Sequence, residues 1–293
     1  MNALIQILIS GVFLGGLYAL VSLGMSLTWA VLRVINYALF AWLFLMAYVT
    51  YQLATFQGVD PLLTVLVTVP LGIGLSCALR FAAAKARIDT FASLIVTFGL
   101  FLIVQSAISL IWSNDLVRIP SGSNRYFDMA WHVGELTMPL LPALTFAVAV
   151  VACMGCHWFL GHSHAGKAMR AMVQDPEMAA AFGVDTQRLG YLVAGMSGAS
   201  IALGGSALGM MFVITPTDAQ LWVPIVFGVV LLAGLGNAKG VLLAAILMAL
   251  VESTLQRFYD PSMAKLAPLA LLLVVILFRP TGLFRPLVER AAR

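Results

Sequence analysis

The chain has 293 residues, of which 62% are hydrophobic and only 10% charged, with a formal net charge of +4 and a mean hydropathy of +1.02. Soluble domains carry about 25% charged residues, so this chain lacks the polar shell that a water-soluble fold requires. Its cations are scattered at the ends of apolar runs, which excludes a nucleic-acid-binding stripe. Its three cysteines, Cys77, Cys153 and Cys156, lie inside apolar segments, which excludes a disulfide framework.

Apolar runs of about 18–24 residues recur along the whole chain, the length that crosses ~30 Å of hydrocarbon at about 1.5 Å per residue. Backbone groups in lipid must bond within their own segment, so each run is predicted to be a helix. The runs are continuous rather than alternating, which argues against a β-barrel. The predicted fold class is all-α: a polytopic transmembrane helical bundle forming a single domain over 1–293. The first span, 4–28, follows Met1-Asn2 with no positively charged segment ahead of it, and reads as a retained helix. Spans 36–56, 61–83 and 91–112 follow, then 138–160, 190–213, 220–236, 239–258 and 264–279. Gly11 and Gly15 in the first span, and Gly195, Gly198, Ala202, Gly205 and Gly209 in the sixth, are spaced to let helix backbones approach closely.

Lys and Arg collect in three places. Arg80, Lys85 and Arg87 follow the third span; Lys167, Arg170 and Arg188 lie between the fifth and sixth; Arg279, Arg285, Arg290 and Arg293 follow the last. The positive-inside rule assigns all three groups to the cytoplasm. Nine spans, with the N-terminus outside and the C-terminus cytoplasmic, satisfy it at every loop. Eight spans, with one run re-entrant, is the competing arrangement. The loop 113–137 then falls outside. It carries Asp115, Arg118, Arg125, Asp128 and Glu135, with Tyr126, Phe127 and Trp131 among them. It reads either as an interfacial aromatic belt or as a docking surface for an external solute-binding protein.

The segment 161–190 is the longest polar interruption on the inner side. Asp175 is placed to cap a helix that starts at Pro176, with Glu177 at the positive dipole end and Gly183 as a left-handed stop. A basic amphipathic stretch with Lys167 and Arg170 precedes it. Two turns of helix are not stable alone in water, so this helix needs a partner surface.

Here a resemblance becomes specific. Gly166-Lys167-Ala168-Met169-Arg170-Ala171, then Asp175-Pro176-Glu177, Ala179-Ala180 and Gly183-Val184, resembles the coupling loop of the hydrophobic (branched-chain) amino-acid uptake permeases of the ABC superfamily. Four other segments agree in order: Gly15-Gly16-Leu17-Tyr18-Ala19-Leu20, Ile35-Asn36-Tyr37-Ala38, Thr97-Phe98-Gly99-Leu100, and Ala233-Gly234-Leu235-Gly236-Asn237 with Gly240, followed by Val251-Glu252-Ser253. Two departures stand out. Leu39 and Phe40 occupy positions where the family has His-Gly, and Ala233 and Asn237 replace a Gly and a Ser.

The resemblance implies an importer permease whose segment 175–183 fits a groove of a separate ATPase, with Gly166, Lys167, Arg170, Ala171, Asp175, Pro176, Glu177, Ala180 and Gly183 as the coupling residues. It implies partners: two ATP-binding subunits, a second and different permease chain, and an external solute-binding protein, in a bacterial inner membrane. ATP and Mg²⁺ belong to the ATPases, and no cofactor, metal or catalytic residue is expected in this chain. The implied solutes are hydrophobic or branched-chain amino acids, with urea, short amides and aromatic acids as related candidates.

Candidate residues for the translocation path are Asn36, Tyr37, Phe40, Thr97 and Glu252. Buried carboxylates are costly in lipid and tend to face a bundle interior or a cavity, so Glu252 either serves the path or a helix contact, or snorkels to the interface near Arg257. Asn36 and Thr97, like Gln105 and Ser106, serve equally well as interhelical hydrogen-bonding groups, each worth ~0.6 kcal/mol.

Two motifs mislead. Gly161 to Gly166-Lys167 has P-loop spacing, but Ala168 lacks the metal-binding hydroxyl and the segment follows a membrane span instead of a strand. Cys153-Met154-Gly155-Cys156-His157 spells a haem attachment site, but it lies within an apolar run at the cytoplasmic end of the fifth span. The competing function is a stand-alone ion-coupled carrier, which usually keeps acidic residues near the midplane; this chain has few there.

Overall fold

A computed structural model describes residues 2–86, 90–133, 136–258, 267–278 and 282–284. Arg87, Glu135, Arg279, Arg285, Arg290 and Arg293, and the two ends of the last expected span, lie outside the described residues. Four long helices come first: α1 (Asn2–Leu32), α2 (Ala38–Phe56), α3 (Val65–Lys85) and α4 (Thr90–Trp112). A short antiparallel hairpin follows, β1 (Ala130–Val133) with β2 (Leu136–Pro139), pairing Trp131 with Met138 and His132 with Thr137. Then come α5 (Leu140–His162), α6 (His164–Gln174), α7 (Pro176–Ala181), α8 (Thr186–Met211), a 3-10 turn (Pro216–Leu221), α9 (Trp222–Ala233), α10 (Ala238–Phe258) and α11 (Ala267–Phe278).

The protein is an all-α polytopic bundle. Among the described residues, eight helical segments are long and apolar enough to cross a membrane, and α11 gives 12 described residues of the ninth expected run. The observed ends differ from the expected ones for local reasons. Helix α1 continues to Leu32 and is closed by Arg33 in the left-handed region, at φ 55°. Helix α8 begins at Thr186, four residues before the apolar run, because the Asp185 carboxylate accepts from the N–H groups of Gln187 and Arg188. Helix α9 stops at Ala233, since Gly234 and Gly236 both take φ 76°. The departures noted in this turn are thereby explained. Ala233 is still helical and needs no glycine, and Asn237 caps α10 as a serine would, its side-chain oxygen accepting from the Gly240 N–H at 3.2 Å.

Helices α1 and α8 form the centre. Helix α1 packs against α10, α8, α5 and α9, while α8 packs against α3, α1 and α2. Lipid tails are as apolar as leucine, so these contacts rest on close packing and buried hydrogen bonds. Ser197 and Ser200 on α8 donate to the carbonyls of Gly24 and Leu20 on α1, at 2.9 and 2.6 Å. The hydroxyls of Thr68 and Ser206 join α3 to α8 at 2.7 Å. The glycine spacing read from the sequence sits on these seams: Gly11 and Gly15 face Leu250 and Ile246 of α10, Gly209 faces Ala47 of α2, and Gly198 crosses Gly72 of α3.

At one end of the bundle, the loop between α4 and α5 is tied down rather than free. The Val117 and Ile214 backbones bond to each other, Asn124 donates to the Met210 carbonyl, and Gln6 bonds to both backbone groups of Thr137. Tyr126 and Phe127 pack beside Ala54, Ile119 and Leu141, while Trp131 is exposed. Asp60 accepts from the Tyr126 hydroxyl at 2.7 Å and pairs with Arg125 at 2.8 Å. Burial alone would raise the Asp60 carboxyl, but Tyr126, the Leu62 N–H and Arg125 together hold it below the usual range. A carboxylate depressed on folding stabilises above its unfolded value and loses that contribution as pH falls through its folded value. This tie is therefore expected to survive acidification through about pH 3.9, the ordinary aspartate value, and to open only below it. Hydrogen exchange at Leu62 measures this; opening already above that value would contradict the assignment.

Candidate functional site

The opposite end of the bundle carries Arg33, Arg80, Lys85, Lys167, Arg170, Arg188 and Lys239, and is called the basic end here. Its main projection is the segment from α5 to α8. Ser163 opens α6, its hydroxyl accepting from the Gly166 N–H at 2.8 Å. Gly166 is buried in the corner with α5: an added Cβ would stand 2.7 Å from the Leu160 Cα. Met169, Met172 and Val173 turn inward, whereas Lys167 is exposed. The Arg170 guanidinium donates back to the Gly161 carbonyl at 3.3 Å, at the negative end of the α5 dipole.

The next turn is the short helix the sequence predicts. The Asp175 carboxylate accepts from the Glu177 and Met178 N–H groups, both at 3.0 Å, and Pro176 takes the first helical position. The far end closes in a Schellman arrangement: Val184 N–H donates to the Ala179 carbonyl and Gly183 N–H to the Ala180 carbonyl, with Gly183 at φ 84°. Ala179 is buried beneath the helix, while Glu177, Met178, Ala180, Ala181 and Phe182 are exposed. Phe182 is 83% exposed and Met178 53%. Helix α7 is thus fixed at both ends and offers an uncovered apolar surface at the tip of the basic end.

A polar bond connects this projection to the bundle. Arg33, between α1 and α2, donates to the Val173 carbonyl at the end of α6, at 3.0 Å. The same inter-helix loop holds Asn36 and Tyr37. The Asn36 side chain accepts from the Ala38 N–H and starts α2, and the Tyr37 N–H donates to the Thr97 hydroxyl of α4 at 3.1 Å. The two separate sequence segments, 35–38 and 97–100, therefore form one junction.

The structure brings Asn36, Tyr37, Phe40 and Thr97 together. The Tyr37 ring lies 5.4 Å from Phe40, 5.3 Å from Phe98 and 5.8 Å from Phe101, and Phe227 of α9 stacks on Phe40 at 6.4 Å. Phe40 is buried in this cluster, while Asn36 and Thr97 line a cavity next to it. Glu252 stands elsewhere, half-buried on α10, where it accepts from the Tyr18 hydroxyl of α1 at 2.7 Å; Tyr18 in turn meets the Trp222 ring edge-on. This is the helix-contact alternative for Glu252. Cys153 and Cys156 are buried free thiols on α5.

Sequence reasoning missed Arg33, Ser76, Arg80 and Phe227. The position of Arg33 just past an apolar run was a visible signal for a helix stop. The other three depend on which helices meet, and no local pattern encodes that.

Comparison with known proteins identifies the family. The family model described as branched-chain amino acid transport system / permease component matches residues 7–276. The high-affinity branched-chain amino acid transport system permease protein LivH of Escherichia coli (strain K12) is 26% identical over 304 residues, covering 98% of this chain and 97% of the relative. The corresponding protein BraD of Pseudomonas aeruginosa is 25% identical over 300 residues, covering 98% and 97%. The fructose import permease protein FrcC of Rhizobium meliloti is 27% identical over 205 residues, covering 65% of this chain and 54% of that protein. With a family model that spans nearly all of its helices, the chain belongs to the branched-chain amino acid transport system permease components, which are transport subunits and not enzymes.

Proposed function

We propose that the chain is one permease subunit of an ATP-driven importer for hydrophobic or branched-chain amino acids or related small solutes, working by alternating access. The observation that carries this reading is α7: a short helix, capped at both ends, whose Met178, Ala181 and Phe182 are exposed at the tip of the basic end. An isolated helix of this length has no stability of its own, and its uncovered apolar face suits a groove on a partner. The partners in this reading are two ATP-binding subunits, a second permease chain of different sequence, and an external solute-binding protein. ATP and Mg²⁺ bind to the ATPase subunits. The location is a bacterial inner membrane, with the basic end cytoplasmic, as the positive-inside rule asks. The nine-span arrangement, one permease domain over 1–293, keeps the C-terminus on that side. The relatives' names cover branched-chain amino acids and fructose, so membership leaves room for other small solutes, urea, short amides and aromatic acids among them.

The route from motor to path runs through named bonds. Movement of α7 carries α6 with it, and the Arg33–Val173 bond passes the displacement to the loop that holds Asn36 and Tyr37. The Tyr37–Thr97 bond then engages α4. Alternating access follows when these elements shift between two packings.

Isolation of the tagged chain from its host membrane tests this reading. The chain is expected to bring with it a nucleotide-hydrolysing polypeptide, and an Arg33→Gln chain should retain that polypeptide while uptake falls roughly ten- to a hundredfold, the size of losing one charge-assisted bond of roughly 1.5–3 kcal/mol. Arg33→Gly relieves the left-handed backbone but also lacks the bond, so it should fall equally. Normal uptake by either variant would remove the bond from the mechanism, and a chain that imports with no hydrolysing companion would remove the reading.

A further inference from the structure

Helix α5 turns one face outward along most of its length. Leu144, Val148 and Val151 are exposed on it, then Gly155, Trp158 and His162, each three or four residues after the last, so they stand in one row. Val151 is 72% exposed and Trp158 65%. Gly155 lies between them. A Cβ added there would meet nothing within 4 Å among the described residues, whereas one added at Gly15 or Gly198 would strike the backbone of a crossing helix. Glycine inside a helix costs stability relative to alanine. Here it serves no described crossing and leaves a notch between the Val151 and Trp158 side chains.

The row changes character at the basic end. The His162 ring stacks on Trp158, with centroids 5.7 Å apart and planes at 20°. Its Nδ1 stands 3.2 Å from the Trp158 carbonyl, which can only accept, so Nδ1 carries the proton. Helix α6 starts at once, with His164 and Lys167 exposed one turn apart on a shared side. His157, His162 and His164 are three of the four histidines in the chain, and from Leu136 to Gln174 the sequence has no Asp or Glu. The next acids along the chain, Asp175 and Asp185, cap α7 and α8.

Tryptophan collects where hydrocarbon meets headgroups, and cations near a leaflet surface attract anionic lipid. A phospholipid presents acyl chains, then esters, then phosphate. The outward face of α5 and α6 presents an apolar row with a notch, then an indole, then cationic side chains, in the same order. A second protein helix would match the apolar half of this row but gives no reason for the cations gathered at its end.

We infer that this face binds an anionic phospholipid, with Lys167, His164 and His162 against the phosphate, Trp158 at the level of the esters, and an acyl chain in the notch at Gly155. The inference goes beyond the permease reading and needs only that α5 spans the bilayer.

The test is native mass spectrometry of the full chain, released from micelles that hold phosphatidylglycerol and phosphatidylcholine in equal amounts with identical acyl chains. Wild-type protein should retain phosphatidylglycerol over phosphatidylcholine by about fivefold or more, the advantage of one cation beside an anionic headgroup. Lys167→Gln should lower that preference about fivefold, and adding His162→Gln and His164→Gln should abolish it. Gly155→Leu fills the notch without touching a charge. It should lower retention of both lipids and leave the preference in place, which keeps the test open if the charge variants do not fold. Equal retention of the two lipids by wild-type protein, an unchanged preference in the triple variant, or unchanged retention in Gly155→Leu overturns the inference. Glycerol 3-phosphate supplies the soluble arm: if it displaces phosphatidylglycerol, the cations serve a free phosphate and the lipid assignment falls. If the variants retain lipid as wild type does but lose a co-isolated permease chain, the face is an interface between chains and the inference falls as well. The measurement uses neither ATPase nor uptake, so it can fail while the permease reading stands, and the reverse.

Discussion

Gly198→Ala is expected to lower the amount of folded protein in the membrane severalfold, while Gly195→Ala, three residues earlier on the same helix, leaves it unchanged. At Gly198 the backbones of α8 and α3 touch. An added Cβ would press on the Gly72 carbonyl and stand 2.7 Å from the Ser76 hydroxyl, and a Cβ on Gly72 would stand 2.7 Å from the Gly198 carbonyl. Backbone cannot rotate away as a side chain can, so the helices must separate. Overpacking costs typically 1–3 kcal/mol, and separation also stretches the Thr68–Ser206 bond, now 2.7 Å. Such losses are large against a net stability of roughly 5–15 kcal/mol. At Gly195 the nearest atoms to an added Cβ are the Ile73 Cγ2 at 3.7 Å and the Cys77 Sγ at 3.9 Å, ordinary contact distances. Quantitative in-gel detection and gel filtration in detergent read the outcome. Equal levels of the two variants would show that the α3–α8 crossing is looser than described.

The second large effect concerns α7. Ala180→Trp is expected to leave membrane level and thermal stability unchanged while reducing ATP-dependent uptake to background, at least tenfold. Ala180 is exposed on a helix fixed by the Asp175 cap and the Gly183 turn, so a bulky side chain there extends away from the described residues. In the proposed complex it meets the ATPase groove. Gly166 is different in kind, although both belong to the same sequence motif. It is buried against Leu160, so Gly166→Val acts on the mounting of the segment and lowers protein level as well. Asp175→Ala removes a cap that serves two N–H groups and should cost about 0.5–2 kcal/mol of local helix stability, with a smaller loss of uptake. Uptake equal to wild type in Ala180→Trp protein would mean that α7 is not gripped.

The membrane helices were legible because bilayer thickness imposes a run length that composition alone reveals. The α7 caps were legible because Asp-Pro-Glu and Gly183 act within one turn. Features set by contacts between distant segments were not. The β1–β2 hairpin is made of two four-residue strands in a loop, too short for alternation to register. Arg80 reads in sequence as a topology signal at the end of α3; only the fold shows that its guanidinium lies over Gly190 of α8. Phe40 replaces a small residue in the family pattern, and the sequence could not say that Phe227, nearly two hundred positions away, would stack upon it. Glu252 was open between a path or helix-contact role and snorkelling because its partner, Tyr18, lies on the first helix.

The central claim is that a separate motor drives this chain. Reconstitution into proteoliposomes tests it most directly, with the chain and its co-isolated permease partner, with and without the co-isolated ATP-binding subunits, under an imposed ion gradient or with ATP. Solute should accumulate only when ATP and the ATP-binding subunits are both supplied, together with the solute-binding protein. Accumulation driven by the ion gradient with those subunits omitted would contradict the account.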